Sequence, residues 1–128
     1  MASRELTYLE KVARMIWWKT GEVSVSYPPH ENVLWLGYAA LALSLKERVD
    51  NDDVHDMWSV WSISHSIEHR RSIHKSVIPY NELDAKVQML DTHYRDSIRH
   101  VAERVTIMGI DEAFIQMSRA QAQAMVDA

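Results

Sequence analysis

The sequence predicts an all-α fold: about five helices in a compact bundle with one short strand. Three observations point there. Glycine and proline number only three each in 128 residues, too few breakers for a many-stranded β architecture. Hydrophobic residues make up 47% of the chain and charged residues 25%, which suits one packed core without long disorder. Between Leu83 and Val105 the apolar positions recur at steps of four and three, the repeat of one helix face.

Each element follows in order. The first helix is expected over Ser3 to Thr20, where Leu6, Leu9, Ala13, Ile16 and Trp17 share a face and Gly21 stops it. Trp17 and Trp18 are adjacent, so one can enter the core while the other covers an edge or meets a partner. From Glu22 to His30, Val23, Val25 and Tyr27 alternate with polar residues, the period of a short strand that Pro28 and Pro29 end. Glu31 to Val49 is apolar nearly all round, as a buried central helix would be. Asp50 to Asp53 reads as a turn with Asp53 as the N-cap of a helix from Val54 to Ser72. A loop through His74 reaches Pro79. The clearest amphipathic helix begins near Glu82 and ends at Gly109, and Asp111 is placed to cap a last helix from Glu112 to Val126. The chain thus reads as a single domain over 1–128, with a helical lead-in over 1–50, a central region over 53–105 and a final helix over 110–128.

Charge and composition narrow the function. The formal net charge is -4 and the acidic residues are interspersed with basic ones, so no stripe suits a phosphate backbone and nucleic acid is not an expected partner. Absence of cysteine excludes disulfides and thiolate zinc sites and is compatible with a reducing cytosol. The start of the chain shows no basic segment followed by a long apolar run, so no signal peptide is expected. The longest apolar stretch, Val33 to Leu45, is broken by Gly37 and Ser44 and is shorter than the ~20 residues of a spanning helix. No membrane partner and a cytoplasmic location are therefore expected.

Two local patterns carry chemistry. His65-Ser66-Ile67-Glu68-His69 has the H-x-x-E-H form of inverted zinc peptidases, with both imidazoles on one side of a helix and Glu68 as a general base. Such a pattern arises easily in a chain with seven histidines, and no distant carboxylate ligand is identifiable, so a solvated helix face is the better reading and no metal or cofactor is expected. No nucleophile elbow, phosphate loop or carboxylate pair accompanies the serines and histidines, so no catalytic residue is assigned. Arg70, Arg71, His74 and Lys75 form a cationic cluster near Trp58, Trp61 and Tyr80 in sequence, and aromatic faces with cations suit a ring bearing an anionic group.

From Val54 the chain reads VHDMW and later HKSVIPYNELDAKVQMLD, and here it resembles the ryanodine-receptor-repeat (RyR) domain. The matching positions are His55, Trp58, His74, Pro79, Tyr80, Leu83 and Asp91. The family's Gly-Trp-x-Tyr-Gly segment is replaced by SVWSISHSIEHRRSI, and Lys75 stands where a proline commonly follows the second histidine. The resemblance implies a non-enzymatic binding module, phage-encoded or bacterial, sensing a nucleotide-derived signal. On that reading Trp58, Arg70, Arg71, His74, Lys75 and Tyr80 form the ligand pocket. The residues alone also fit an architectural role: Pro79 orders the turn into Tyr80, and His55 and Trp58 share a helix face. The very apolar third segment, the paired tryptophans and the lone strand support an alternative function, an assembly subunit of a virion or phage–host complex that is homo-oligomeric or protein-bound without a small molecule.

Overall fold

The computed structural model of the chain describes residues 5–21 and 27–127. These form five α-helices: α1 (Tyr8–Lys19), α2 (Asn32–Leu45), α3 (Asn51–Glu68), α4 (Ala85–Met108) and α5 (Ile110–Asp127). Three 3-10 turns join them, at Pro29–Glu31, Lys46–Arg48 and Tyr80–Glu82. The all-α class holds, and no strand occurs among the described residues. Val23 and Val25, the heart of the expected strand, lie outside those residues. Pro28 is extended and Pro29 starts a 3-10 turn, which its fixed φ favours, so no strand continues past the prolines.

Capping chemistry sets the helix starts. Thr7 Oγ1 accepts from the Glu10 backbone N–H at 3.2 Å, and Glu10 Oε1 accepts from the Thr7 N–H at 3.0 Å. This reciprocal box starts α1 at Tyr8, not at Ser3. Asp50 and Asp53 make the same exchange, at 3.0 Å in each direction, so α3 begins at Asn51 with Asp50 rather than Asp53 as the cap. Asp84 caps α4 through the Val87 N–H. Two left-handed residues set the ends. Lys46 (φ 55) stops α2 before Val49, and Arg70 (φ 52) lies beyond the end of α3, which stops short of Ser72. Gly109 (φ 84) allows α5 to start at once at Ile110, so Asp111 sits inside its first turn instead of capping it.

Helix α4 is the spine. Its 24 residues span roughly 36 Å, and it packs on all four other helices. Ile98 and Val101 on its inner face are fully buried with Val12, Ala13, Met15 and Ile16 of α1. Two side chains tie it to the lead-in: His93 Nε2 donates to the Thr20 carbonyl at 2.9 Å, and Arg99 Nε to the Val49 carbonyl at 2.7 Å. Trp17 enters the core, while Trp18 covers an edge against Phe114, ring centroids 5.4 Å apart. Among the described residues no helix is long and apolar enough to cross a membrane.

Candidate functional site

A cavity of about 750 Å³ opens between the ends of α1, α2, α3 and α4. Helix α1 contributes Trp17 and its C-cap residue Thr20, and α2 contributes Leu34, Trp35 and Tyr38. His55, Trp58 and Trp61 come from successive turns of α3. Val87, Leu90, Asp91 and Tyr94 come from α4. The segments Pro28–Glu31 and His74–Ser76 complete the wall.

Burial orders this wall from inside to outside. Trp35, Tyr38, His55 and Asp91 are buried, whereas His30, His74, Lys75 and Leu90 are exposed at the rim. The aromatic rings brace one another. Trp35 meets Tyr38 and Tyr94 edge-on at 5.3 and 6.0 Å, and Tyr38 stacks on Tyr94 at 6.0 Å. Trp35 Nε1 donates to Glu31 Oε2 at 3.4 Å.

His55 joins three segments. The Ile78 carbonyl can only accept, so His55 Nε2, 2.7 Å away, is the donor. Nδ1 then faces Asp91 Oδ2 at 3.6 Å, too far for a hydrogen bond. Its ring stacks on Trp58 at 5.7 Å, and Trp58 meets His74 edge-on at 5.2 Å. His74 Nδ1 accepts from the Ser76 N–H at 3.0 Å, which shapes the rim loop. Burial pushes the Asp91 carboxyl up to about 6, and the charge of His55 acts in the opposite sense. Burial, with Tyr94, Asp91 and Glu31 adding to it, pushes the Tyr38 hydroxyl well above the ordinary phenol range. Among the described residues neither Tyr38 Oη nor Asp91 Oδ2 has a hydrogen-bond partner.

The residues singled out in the sequence divide. Trp58, His74 and Lys75 line the cavity. Arg70 and Arg71 do not; both are exposed beyond the last turn of α3, where the left-handed Arg70 turns the chain away. Tyr80 is not a wall residue either. Its ring lies 6.4 Å from His55, and its hydroxyl accepts from Asn51 Nδ2 at 2.7 Å, an architectural place. Pro79 precedes the 3-10 turn at Tyr80, and Leu83 is buried at the end of that turn. His65 and His69 do share a side, rings 4.3 Å apart, with Trp61 stacked on His65. No group of three or more potential metal-binding side chains forms among the described residues.

Sequence reasoning missed Trp35, Tyr38 and Tyr94 as wall residues. The spacing of Trp35 and Tyr38, three apart on one helix, was the available signal, but α2 is apolar on so many sides that it marks no face.

No curated protein and no solved structure matches the chain. The expected RyR membership is overturned: the family model that matches is a different one, over residues 7–103, and no RyR domain is found. In the stretch that stands in place of the Gly-Trp-x-Tyr-Gly segment, Ser59 to Glu68 continue α3 and the chain leaves the helix at His69 and the left-handed Arg70. The matched region holds every residue of the cavity wall, from Trp17 to Tyr94. The chain belongs to the family described as a domain of unknown function, DUF7701.

Proposed function

We propose that this domain is a non-enzymatic binding module for a small, flat, aromatic molecule bearing an anionic group. One observation carries the reading: the cavity has the size of a small-molecule site, and its wall includes four of the five tryptophans together with Tyr38 and Tyr94. A ring inserted among these faces gains stacking and loses water on both sides. The rim cations Lys75 and, when protonated, His74 and His30 stand where an anionic substituent would emerge. A nucleotide-like ligand combines both features. Support for a binding rather than a catalytic role comes from His55. One of its ring nitrogens is committed to a backbone carbonyl and the other faces a carboxyl, which leaves it poorly placed to relay protons to a substrate.

The test is an equilibrium titration followed by tryptophan emission. Guanosine, adenosine, uridine and cytidine 5′-monophosphates serve as probes, with wild type, Trp58→Ala and Lys75→Gln. Saturable quenching by at least one probe is expected. Trp58→Ala should weaken it about tenfold, as loss of a stacking face does, and Lys75→Gln less. Unchanged emission with all four probes at millimolar concentration, or equal binding by Trp58→Ala, overturns the reading.

A further inference from the structure

The seven histidines of the chain keep different company. His55 and His93 each commit a ring nitrogen to a backbone carbonyl, and His74 commits one to the Ser76 N–H. His65 and His69 commit none: among the described residues no ring nitrogen of either has a hydrogen-bond or ion-pair partner. The two residues stand one helical turn apart, His65 in the last turn of α3 and His69 as its C-cap. Their ring centroids are 4.3 Å apart with the planes tilted by 53°. The spacing alone is common in a histidine-rich chain. The structure adds that the two imidazoles meet, and that their nitrogens are not used elsewhere.

We infer that His65 and His69 chelate a divalent transition-metal ion of the class that takes imidazole nitrogen (copper, nickel or zinc) at the end of α3. Two nitrogens bound to one such ion lie about 3 Å apart, a separation open to rings whose centroids are 4.3 Å apart. A half-turn of an imidazole exchanges the places of its nitrogens and keeps the ring plane, so His65 can present either one while still stacked on Trp61 at 5.1 Å. No third metal-binding side chain joins the pair among the described residues, so water or a donor atom of a bound molecule completes the coordination. The site is exchangeable rather than closed. Charge around it is mixed: Glu68 and the partial negative charge of the helix end favour a cation, and the exposed Arg70 and Arg71 oppose it. A bound ion pins the last turn of α3. Trp61, which stacks on His65, also lines the cavity, so the ion is one ring away from that wall. This inference does not depend on the cavity holding a ligand.

The probe is copper(II), the tightest-binding of these ions at a nitrogen site, in a buffer that does not coordinate metals. Calorimetric titration compares wild type with His65→Ala, His69→Ala and, as a control, His100→Ala. Loss of either imidazole breaks the chelate and should weaken binding by about tenfold or more, while His100→Ala should bind as wild type does. His69 is exposed, so His69→Ala serves even if His65→Ala folds poorly. A second readout is local. Copper(II) broadens only resonances near it, so substoichiometric addition to wild type should remove the Trp61 indole N–H signal before those of Trp17, Trp18 and Trp35. Equal copper affinity in wild type and His69→Ala means that isolated histidines hold the ion, and it overturns the inference. Loss of the Trp18 signal ahead of Trp61 also overturns it, because Trp18 shares a groove with His100 and not with this pair.

Discussion

At Asp91 the fold keeps a carboxyl away from water, with His55 near but not bonded. Burial raises its pKa from 3.8 to about 6. The sign of the linkage follows. A raised carboxyl pKa means that the folded chain holds its proton more tightly than the unfolded chain does. The stability Asp91 contributes is therefore full below about pH 4 and is lost as pH rises through about 6, where the folded chain must carry a buried charge. Urea unfolding of wild type and Asp91→Asn across that range should show wild type losing stability relative to the variant as pH increases. A difference that stays flat with pH contradicts the burial of this charge. His55, Trp58, His74 and Asp91 were legible in the sequence as a group, and they do meet in space. The family likeness that grouped them does not hold. What brings them together is one imidazole bonded to the loop carbonyl of Ile78 and facing a carboxyl on the next helix. Tyr38 stayed hidden because it lies on α2, whose apolar residues mark no single face.

Among the elements, the order and number of helices were readable and several ends were not. The periodic face of α4 is strong because alternate steps of four and three persist through Val101 and Val105. The start of α1 was misplaced because Leu6 extends the apolar spacing upstream of Thr7, while the T-x-x-E box that fixes it is short and local. At Asp50 to Asp53 several acidic side chains compete for one cap, and only geometry decides in favour of Asp50. The α2–α3 contact offers a sharper test. A Cβ added at Gly37 would stand 2.5 Å from Met57 Sδ and 2.8 Å from Met57 Cγ. Alanine gains about 1 kcal/mol of helix propensity over glycine, but overpacking costs about 1–3 kcal/mol. Gly37→Ala is expected to destabilise the domain by about 1 kcal/mol, read from the midpoint of denaturant unfolding. In a Met57→Ala background the same change should become neutral or stabilising. If Gly37→Ala stabilises the wild-type background, the two helices are not in the close contact described.

The whole molecule is arranged so that one long helix presents its inner face to every other helix. Near its N-terminal end, Val87, Leu90, Asp91 and Tyr94 face α2, α3 and the His74–Ser76 rim across the cavity, while farther along Ile98 and Val101 fill the core. This division explains why the fold class was legible and the cavity was not. A core follows from apolar periodicity within each segment. A cavity depends on how far two aromatic faces stand apart, and on residues as distant in the chain as Trp17, Trp58 and Tyr94. The family match ends at residue 103, so α5 lies outside it while the entire wall lies within. The central claim is that a small aromatic ligand enters this wall. Its most direct test is the two-dimensional nitrogen–proton spectrum of the five indole N–H groups, with each of the four nucleoside monophosphates added in turn. For at least one of them the resonances of Trp17, Trp35, Trp58 and Trp61, which line the cavity, should move, while Trp18, packed on Phe114, stays in place. If none of the cavity tryptophans responds to any of the four, or if Trp18 alone does, the cavity is not the binding site.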